Sequence, residues 1–180
     1  MRRIAVALLM LVCASLAVAR VELPDAVRAE VAPMQLLGSG RMTWFGLHVY
    51  DAALWSPANA SASGLPPNLD APFALALRYS RDFQGERIAE RSLVEIERLG
   101  FGTTAERQRW LAAMRELFPD VRAGETLTGL YRPGVGAEFY HQDRRLGRID
   151  DAAFARAFFS IWLDPRTRAP RLREQLIGNR

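Results

Sequence analysis

The stretch from residue 38 to residue 51 constrains the fold more than any other part of the chain. Glycine permits positive φ and close backbone approach, so Gly38 and Gly40 predict a tight turn or a bulge. Residues 41–50 have β-type composition with large apolar groups on both alternating faces, which predicts a central strand covered on both sides. By alternation, Arg41 shares a face with Phe45, Leu47 and Val49. An arginine that enters such a strand is the first residue to consider for ligand binding.

The rest of the chain alternates between strand and helix patterns. Thr103 with Glu106 three residues later is a capping box, and Asp150 or Asp151 caps a later helix. Helical spacing predicts three helices, which end at Gly100, Pro119 and Pro165, and a short last helix that begins at Pro170. Further strands are predicted over 34–37, 73–79, 126–131, 137–141 and 146–149. Residues 20–33 are interpreted as an exposed lead-in, and 56–70 as a loop. This order predicts an α+β fold, an antiparallel sheet with helices on one face.

The N-terminus has the pattern of a cleavable signal peptide over residues 1–19. A basic start is followed by the apolar run 4–16 and by Ala17-Val18-Ala19, a small-x-small cleavage signal. The run is shorter than the about 20 residues that span a membrane. A lipoprotein signal at Cys13 is rejected because Val12 does not suit that site. We therefore expect cleavage after Ala19 and one mature domain over 20–180, without cysteine and without a membrane span.

Charge and residue types exclude several function classes. The formal net charge is +4, and loss of Arg2 and Arg3 with the signal leaves +2. The arginines alternate with acidic residues instead of forming a patch, which argues against nucleic-acid binding. Two histidines in separate segments, His48 and His141, do not make a metal site. No serine stands in a nucleophile motif. The sequence thus predicts no metal, no cofactor and no catalytic residue.

Arginines next to aromatic residues are the remaining candidates. Arg41 is close in sequence to Tyr50, and Arg78 and Arg81 flank Tyr79. At the mouth of an apolar cavity, a guanidinium offers a planar fork to a carboxylate or enolate oxygen, and a tyrosine hydroxyl adds a donor. The alternative is a strand-end arginine that reaches solvent or pairs with Asp51, Asp82 or a helix glutamate. Tyr50 could equally belong to the core. For Arg41 the two interpretations stay open.

Several segments together resemble the chalcone isomerase-like family, and specifically its exported bacterial branch. The matching segments are 38–41, 49–55, 77–81, 118–121, 127–129, 133–134, 158–165 and 172–178. The resemblance implies an open-faced β-sandwich, in which a large antiparallel sheet is wrapped by helices around a ligand cleft. It also implies a periplasmic location for the exported protein.

The resemblance further implies two functions, because the family includes plant enzymes that close chalcones to flavanones and non-catalytic members that bind fatty acids. In both, an arginine after the glycine turn stabilises negative charge on the ligand, and Arg41 is its counterpart. In the fatty-acid-binding members a tyrosine contacts the carboxylate, and Tyr50 matches it. The plant enzymes carry a tyrosine and an asparagine in the helix after the third strand, whereas residues 82–87 here contain neither. Phe45 replaces their threonine.

The favoured prediction is a non-catalytic periplasmic protein that binds a fatty acid or a similar amphipathic carboxylate. Its ligand residues are expected to be Arg41, Tyr50 and Arg81. The alternatives are an intramolecular lyase of the chalcone isomerase type and a structural module of an envelope complex. The expected partner is a small lipid-like ligand, and the sequence predicts no oligomeric state.

Overall fold

The computed structural model describes residues 21–31, 33–57 and 71–178, which form an antiparallel sheet with helices on both faces. The predicted signal peptide and most of the predicted loop over 56–70 lie outside these residues. The described strands are β1 Met34–Trp44, β2 Leu47–Pro57, β3 Phe73–Tyr79, β4 Thr126–Arg132, β5 Gly136–His141 and β6 Arg144–Ile149, and they lie side by side in chain order. The described helices are α1 Asp25–Glu30, α2 Gly85–Arg98, α3 Thr104–Leu117, α4 Ala152–Leu163 and α5 Pro170–Leu176. The predicted α+β fold is confirmed.

One face of the sheet carries α2, α4 and α5 and holds an aromatic core. Its centre consists of buried phenylalanines from the strands and from α4: Phe73, Phe139, Phe154, Phe158 and Phe159.

Local side-chain caps fix the starts of α3 and α4 as predicted. The Thr103 side chain accepts from the Glu106 backbone N–H while the Glu106 carboxylate accepts from the Thr103 backbone N–H at 2.7 Å. Asp151 caps α4 by accepting from two backbone N–H groups at 2.9 Å.

The opposite face is covered by the N-terminal segment, which the sequence did not predict. Residues 21–31 contain α1, and Val21, Leu23 and Val27 pack against Trp55 and Tyr140. The expectation of an exposed lead-in is therefore wrong. The segment finds its place because β2 and β3 present small residues on this face: Ala53, Ala74 and Ala76. Short apolar residues without a clear period give no such signal in the sequence.

The glycine pair does not form a turn. β1 continues through Gly38 and Gly40, with a bulge or irregularity in its pairing with β2 between Leu36 and Gly38. The chain reverses instead at Phe45 and Gly46, whose φ angles are 48° and 77°. The glycines admit α5 instead, because a Cβ on Gly38 would lie 2.0 Å from the Gln175 carbonyl oxygen. The predicted central strand 41–50 is divided by this reversal between β1, an edge strand of the described sheet, and β2, which lies between β1 and β3. α5 packs on one face of β1, whereas Met34 and Leu36 pack against the N-terminal segment on the other.

Candidate ligand-binding site

A cavity of about 490 Å³ lies between the helix-bearing face of the sheet and the helices α2 and α4. Its size falls within the roughly 300–1,000 Å³ of small-molecule sites. The wall is mainly apolar and includes Leu75, Leu77, Leu127, Phe139, Phe158 and Ile161. Gly129 on β4 contributes space, since a Cβ there would lie 3.0 Å from the Phe159 ring. The strands and α4 thus build a site suited to an apolar molecule.

Two tyrosine hydroxyls belong to this wall. Tyr50 on β2 pairs across the sheet with Tyr79 on β3, and the ring centroids are 5.8 Å apart. The Tyr50 hydroxyl accepts a hydrogen bond from Trp162 Nε1 at 2.9 Å, which leaves its own proton free to donate. The Tyr79 hydroxyl has no hydrogen-bond partner among the described residues. Burial raises the pKa of Tyr50 to about 12 and raises that of Tyr79 as well, so both hydroxyls remain donors at neutral pH.

Four arginines line the same cavity: Arg81, Arg87, Arg91 and Arg168. Arg91 contacts the buried carboxylate of Glu95 at 2.5 Å, and Arg168 lies 3.7 Å from the same group. Arg87 pairs with Glu90 on α2 at 3.0 Å. Of the four, Arg81 alone has no ion-pair partner in the described part of the chain. Its guanidinium is therefore the most available in the wall for an anionic ligand group.

Arg41 lies on the other face of the sheet and does not line this cavity. Its Nε donates to the Asp51 carboxylate at 2.9 Å, and His48 Nε2 lies 3.2 Å from the same oxygen. The predicted alternation is wrong because the chain turns at residues 45–46 and the β1–β2 register shifts after Met42. Leu47 and Val49, which were predicted to share the face of Arg41, line the cavity without it. Arg41 thus forms the ion pair with Asp51, which is one of the two interpretations that the sequence left open.

The comparisons with known proteins agree with this architecture. A family model described as chalcone isomerase-like matches residues 15–178. The chain belongs to the chalcone isomerase-like family. One relative of this chain is an uncharacterized protein of Haemophilus influenzae. The two sequences are 32% identical over 150 residues, which cover 83% of this chain and 71% of the relative. The crystal structure of a fatty-acid binding protein of Arabidopsis thaliana is similar in fold, with a TM-score of 0.62 at 14% identity, covering 89% of this chain and 91% of that one.

The start of α2 and the residues before it form one end of the cavity wall. Phe83 and Arg87 from that region line the cavity, and residues 82–87 supply no phenol there. In the described ranges, no three His, Cys, Asp or Glu residues come together as metal ligands. Likewise, no helix among the described residues is long and apolar enough to cross a membrane.

Of the three ligand residues predicted from the sequence, Tyr50 and Arg81 line the cavity and Arg41 does not. Tyr79 was not among them, although its place in an alternating strand next to that of Tyr50 is a usable signal. Arg87, Arg91 and Glu95 follow one another at helical spacing and look like an ordinary solvated helix face. Their role becomes visible only when α2 is placed over the sheet.

Proposed function

We propose that this chalcone isomerase-like protein binds a fatty acid or a similar amphipathic carboxylate in the cavity, without transforming it, in the periplasm. The observation that carries the proposal is the apolar cavity whose wall includes two protonated tyrosine hydroxyls and the guanidinium of Arg81, which has no ion-pair partner among the described residues. The periplasmic location rests on the signal-peptide pattern of residues 1–19. The fatty-acid binding protein of Arabidopsis thaliana with the same fold supports the choice of ligand class.

Apolar burial supplies most of the affinity in this proposal. Each methylene of an alkyl tail that leaves water for the cavity contributes about 0.8 kcal/mol. The carboxylate head has to exchange its hydration for fixed donors, since a buried anion without them is strongly disfavoured. Arg81 offers a charge-assisted pair of donors, and Tyr79 and Tyr50 offer neutral ones. Tyr50 and Arg81 are thus retained as ligand residues, and Tyr79 is added.

The polar groups of the wall favour binding over catalysis. Glu95 is the carboxylate of the wall, and its two oxygens accept hydrogen bonds from Arg91 and Arg98. Both oxygens of this carboxylate are therefore already engaged by guanidinium donors. The two tyrosines have raised pKa values, so near neutral pH they do not act as bases either.

Lipid extraction tests the proposal. The protein purified from its native host is extracted with organic solvent, and the extract and the intact complex are analysed by mass spectrometry. We expect a fatty acid that is absent from Ile88→Trp, a variant that fills the cavity from α2. Rebinding to delipidated Arg81→Ala should weaken by about tenfold or more, which corresponds to one lost charge-assisted hydrogen bond.

Arg41→Ala is the matched control. Arg41 lies at the same end of the sheet as Arg81, near the β1–β2 turn, but it faces away from the cavity and pairs with Asp51. We expect its affinity to equal that of the wild type. An equal loss in both variants would restore the anchor role predicted for Arg41 from the sequence. Cyclisation of a chalcone above the spontaneous rate would replace the proposal with the lyase alternative. If the protein neither carries a ligand nor cyclises a chalcone, the remaining alternative is a structural module of an envelope complex.

A further inference from the structure

The tip of the β1–β2 hairpin, residues 44–47, exposes three large apolar side chains. Trp44, Phe45 and Leu47 are 45%, 90% and 55% exposed, and the two aromatic rings pack edge to face at 5.2 Å. Phe45 also occupies a backbone conformation with φ of 48°, where asparagine or glycine is the preferred residue of a two-residue hairpin turn. Neither turn geometry nor core packing accounts for a phenylalanine at this position. Contiguous exposed apolar side chains of this kind mark interaction surfaces.

The hairpin tip forms part of the rim of the cavity. Trp44 and Leu47 line it together with Arg81, Arg87 and Arg91. The Arg91 guanidinium lies over the Trp44 ring at 5.6 Å, and the side chains of Arg87 and Arg91 are 72% and 53% exposed. Exposed aromatic groups and exposed cations therefore border one opening.

The acidic groups near this rim are already engaged. Glu90 accepts from Arg87 and from Arg115, and Glu86 lies 3.2 Å from Arg115. Asp51 pairs with Arg41 on the other face of the sheet. Asp82 accepts from the backbone of residue 123. The same contacts engage Arg87 and Arg91, so Arg81 is the arginine of this opening that has no carboxylate partner in the described part of the chain.

We propose that the hairpin tip inserts into the surface of an anionic lipid membrane, with Arg81, which has no ion-pair partner among the described residues, toward the lipid head groups and the exposed side chains of Arg87 and Arg91 beside it. Aromatic side chains beside basic ones are the composition of segments that lie in a membrane interface. The negative surface potential of anionic lipid attracts an arginine at such an opening. The inserted tip places the cavity mouth against the lipid, so that an apolar ligand enters without crossing water.

Vesicle binding tests the docking surface directly. Purified protein is sedimented with vesicles of phosphatidylglycerol and phosphatidylethanolamine, and in parallel with vesicles of phosphatidylcholine alone. We expect binding to the anionic vesicles and little to the neutral ones. Phe45→Asn should lower the binding by about tenfold or more, the consequence of removing one aromatic side chain from an apolar phase. Its fold is retained, because Asn-Gly suits a turn with two positive φ angles.

Val135→Asn is the matched control. Val135 is 44% exposed in the β4–β5 turn, at the opposite end of the sheet, and its replacement should leave vesicle binding unchanged. Trp44 gives a second readout, since it is the most exposed tryptophan among the described residues. Anionic vesicles should shift the emission of the wild type to the blue, and Trp44→Phe should lose that shift.

Three results would overturn the inference: no binding to anionic vesicles, equal binding by Phe45→Asn and wild type, or a dimer that Phe45→Asn dissociates. The last result would assign the tip to a second copy of the chain. The entry of a ligand from the membrane into the cavity rests on the proposed function. Vesicle binding does not rest on it, because it is measured on delipidated protein. Failure to find a fatty acid therefore leaves the docking test intact, and failure to dock leaves the ligand test intact.

Discussion

Replacing Tyr50 by phenylalanine should destabilise the protein, whereas the same change at Tyr79 should not. The Tyr50 hydroxyl is the acceptor for Trp162 Nε1 at 2.9 Å, and Trp162 is 7% exposed. Tyr50→Phe therefore leaves a buried indole N–H without its partner, which costs about 1–3 kcal/mol. In a chain of this length, each kcal/mol lowers the melting temperature by roughly 2–4 °C, so a decrease of roughly 2–12 °C is expected. Tyr79→Phe removes a hydroxyl with no hydrogen-bond partner among the described residues and should stay within about 0.5 kcal/mol of wild type.

The measurement is urea unfolding of delipidated protein, followed by far-UV circular dichroism. Delipidation matters because a bound ligand adds stability that depends on its concentration. Circular dichroism is preferred to fluorescence since the substitution changes the surroundings of Trp162 itself. Equal stability of Tyr50→Phe and wild type would refute the reasoning, as would an equal loss in Tyr79→Phe. In fatty-acid rebinding, by contrast, both variants should bind more weakly, because each removes a donor from the cavity wall.

Three further predictions concern packing, capping and pH. Gly38→Ala should destabilise by about 1–3 kcal/mol in urea unfolding, since its Cβ would overlap backbone atoms of α5. Asp151→Ala should lower the free energy of unfolding by about 2–4 kcal/mol in the same assay, because it removes both the cap of α4 and the acceptor of Trp110 Nε1 at 2.8 Å. Thr103→Ala removes only an exposed cap and should lower it by about 1 kcal/mol. Burial raises the pKa of Tyr50 and Tyr140 to about 12; the unfolded chain releases these protons near pH 10, so stability should fall as pH rises from 10 to 12.

The elements that the sequence predicted correctly are those specified by neighbouring residues. The capping box at Thr103 needs only Glu106, and the cap at Asp151 needs only the two backbone N–H groups that follow. β3 and the β4–β5 hairpin show clear alternation with turn residues between them. These signals act over a few residues, so their physical meaning does not depend on the rest of the fold.

The errors concern residues whose partners are far away in sequence. The glycine pair is explained by α5, about 135 residues further along the chain, and the buried N-terminal segment by the alanines of β2 and β3. The cavity likewise arises from α2 and α4 above the sheet. Arg81 is a candidate from the sequence because it flanks Tyr79 near the end of a clear strand, whereas Arg87 and Arg91 lie on a helix face with ordinary charge spacing.

The glycine pair itself determines which way Arg41 faces. Gly38 and Gly40 have to lie under α5, because a Cβ at either position would be within 2.1 Å of an atom of Gln175. Alternation along β1 then turns Arg41, the next residue, to the opposite face, where Asp51 lies across from it in register. Moving Arg41 to the cavity would require a one-residue slip, which would turn Met42 away from the cavity and place a side chain under α5. An anion in this cavity therefore has to be met by another arginine, and of the four arginines in the cavity wall Arg81 is the one without a carboxylate partner among the described residues.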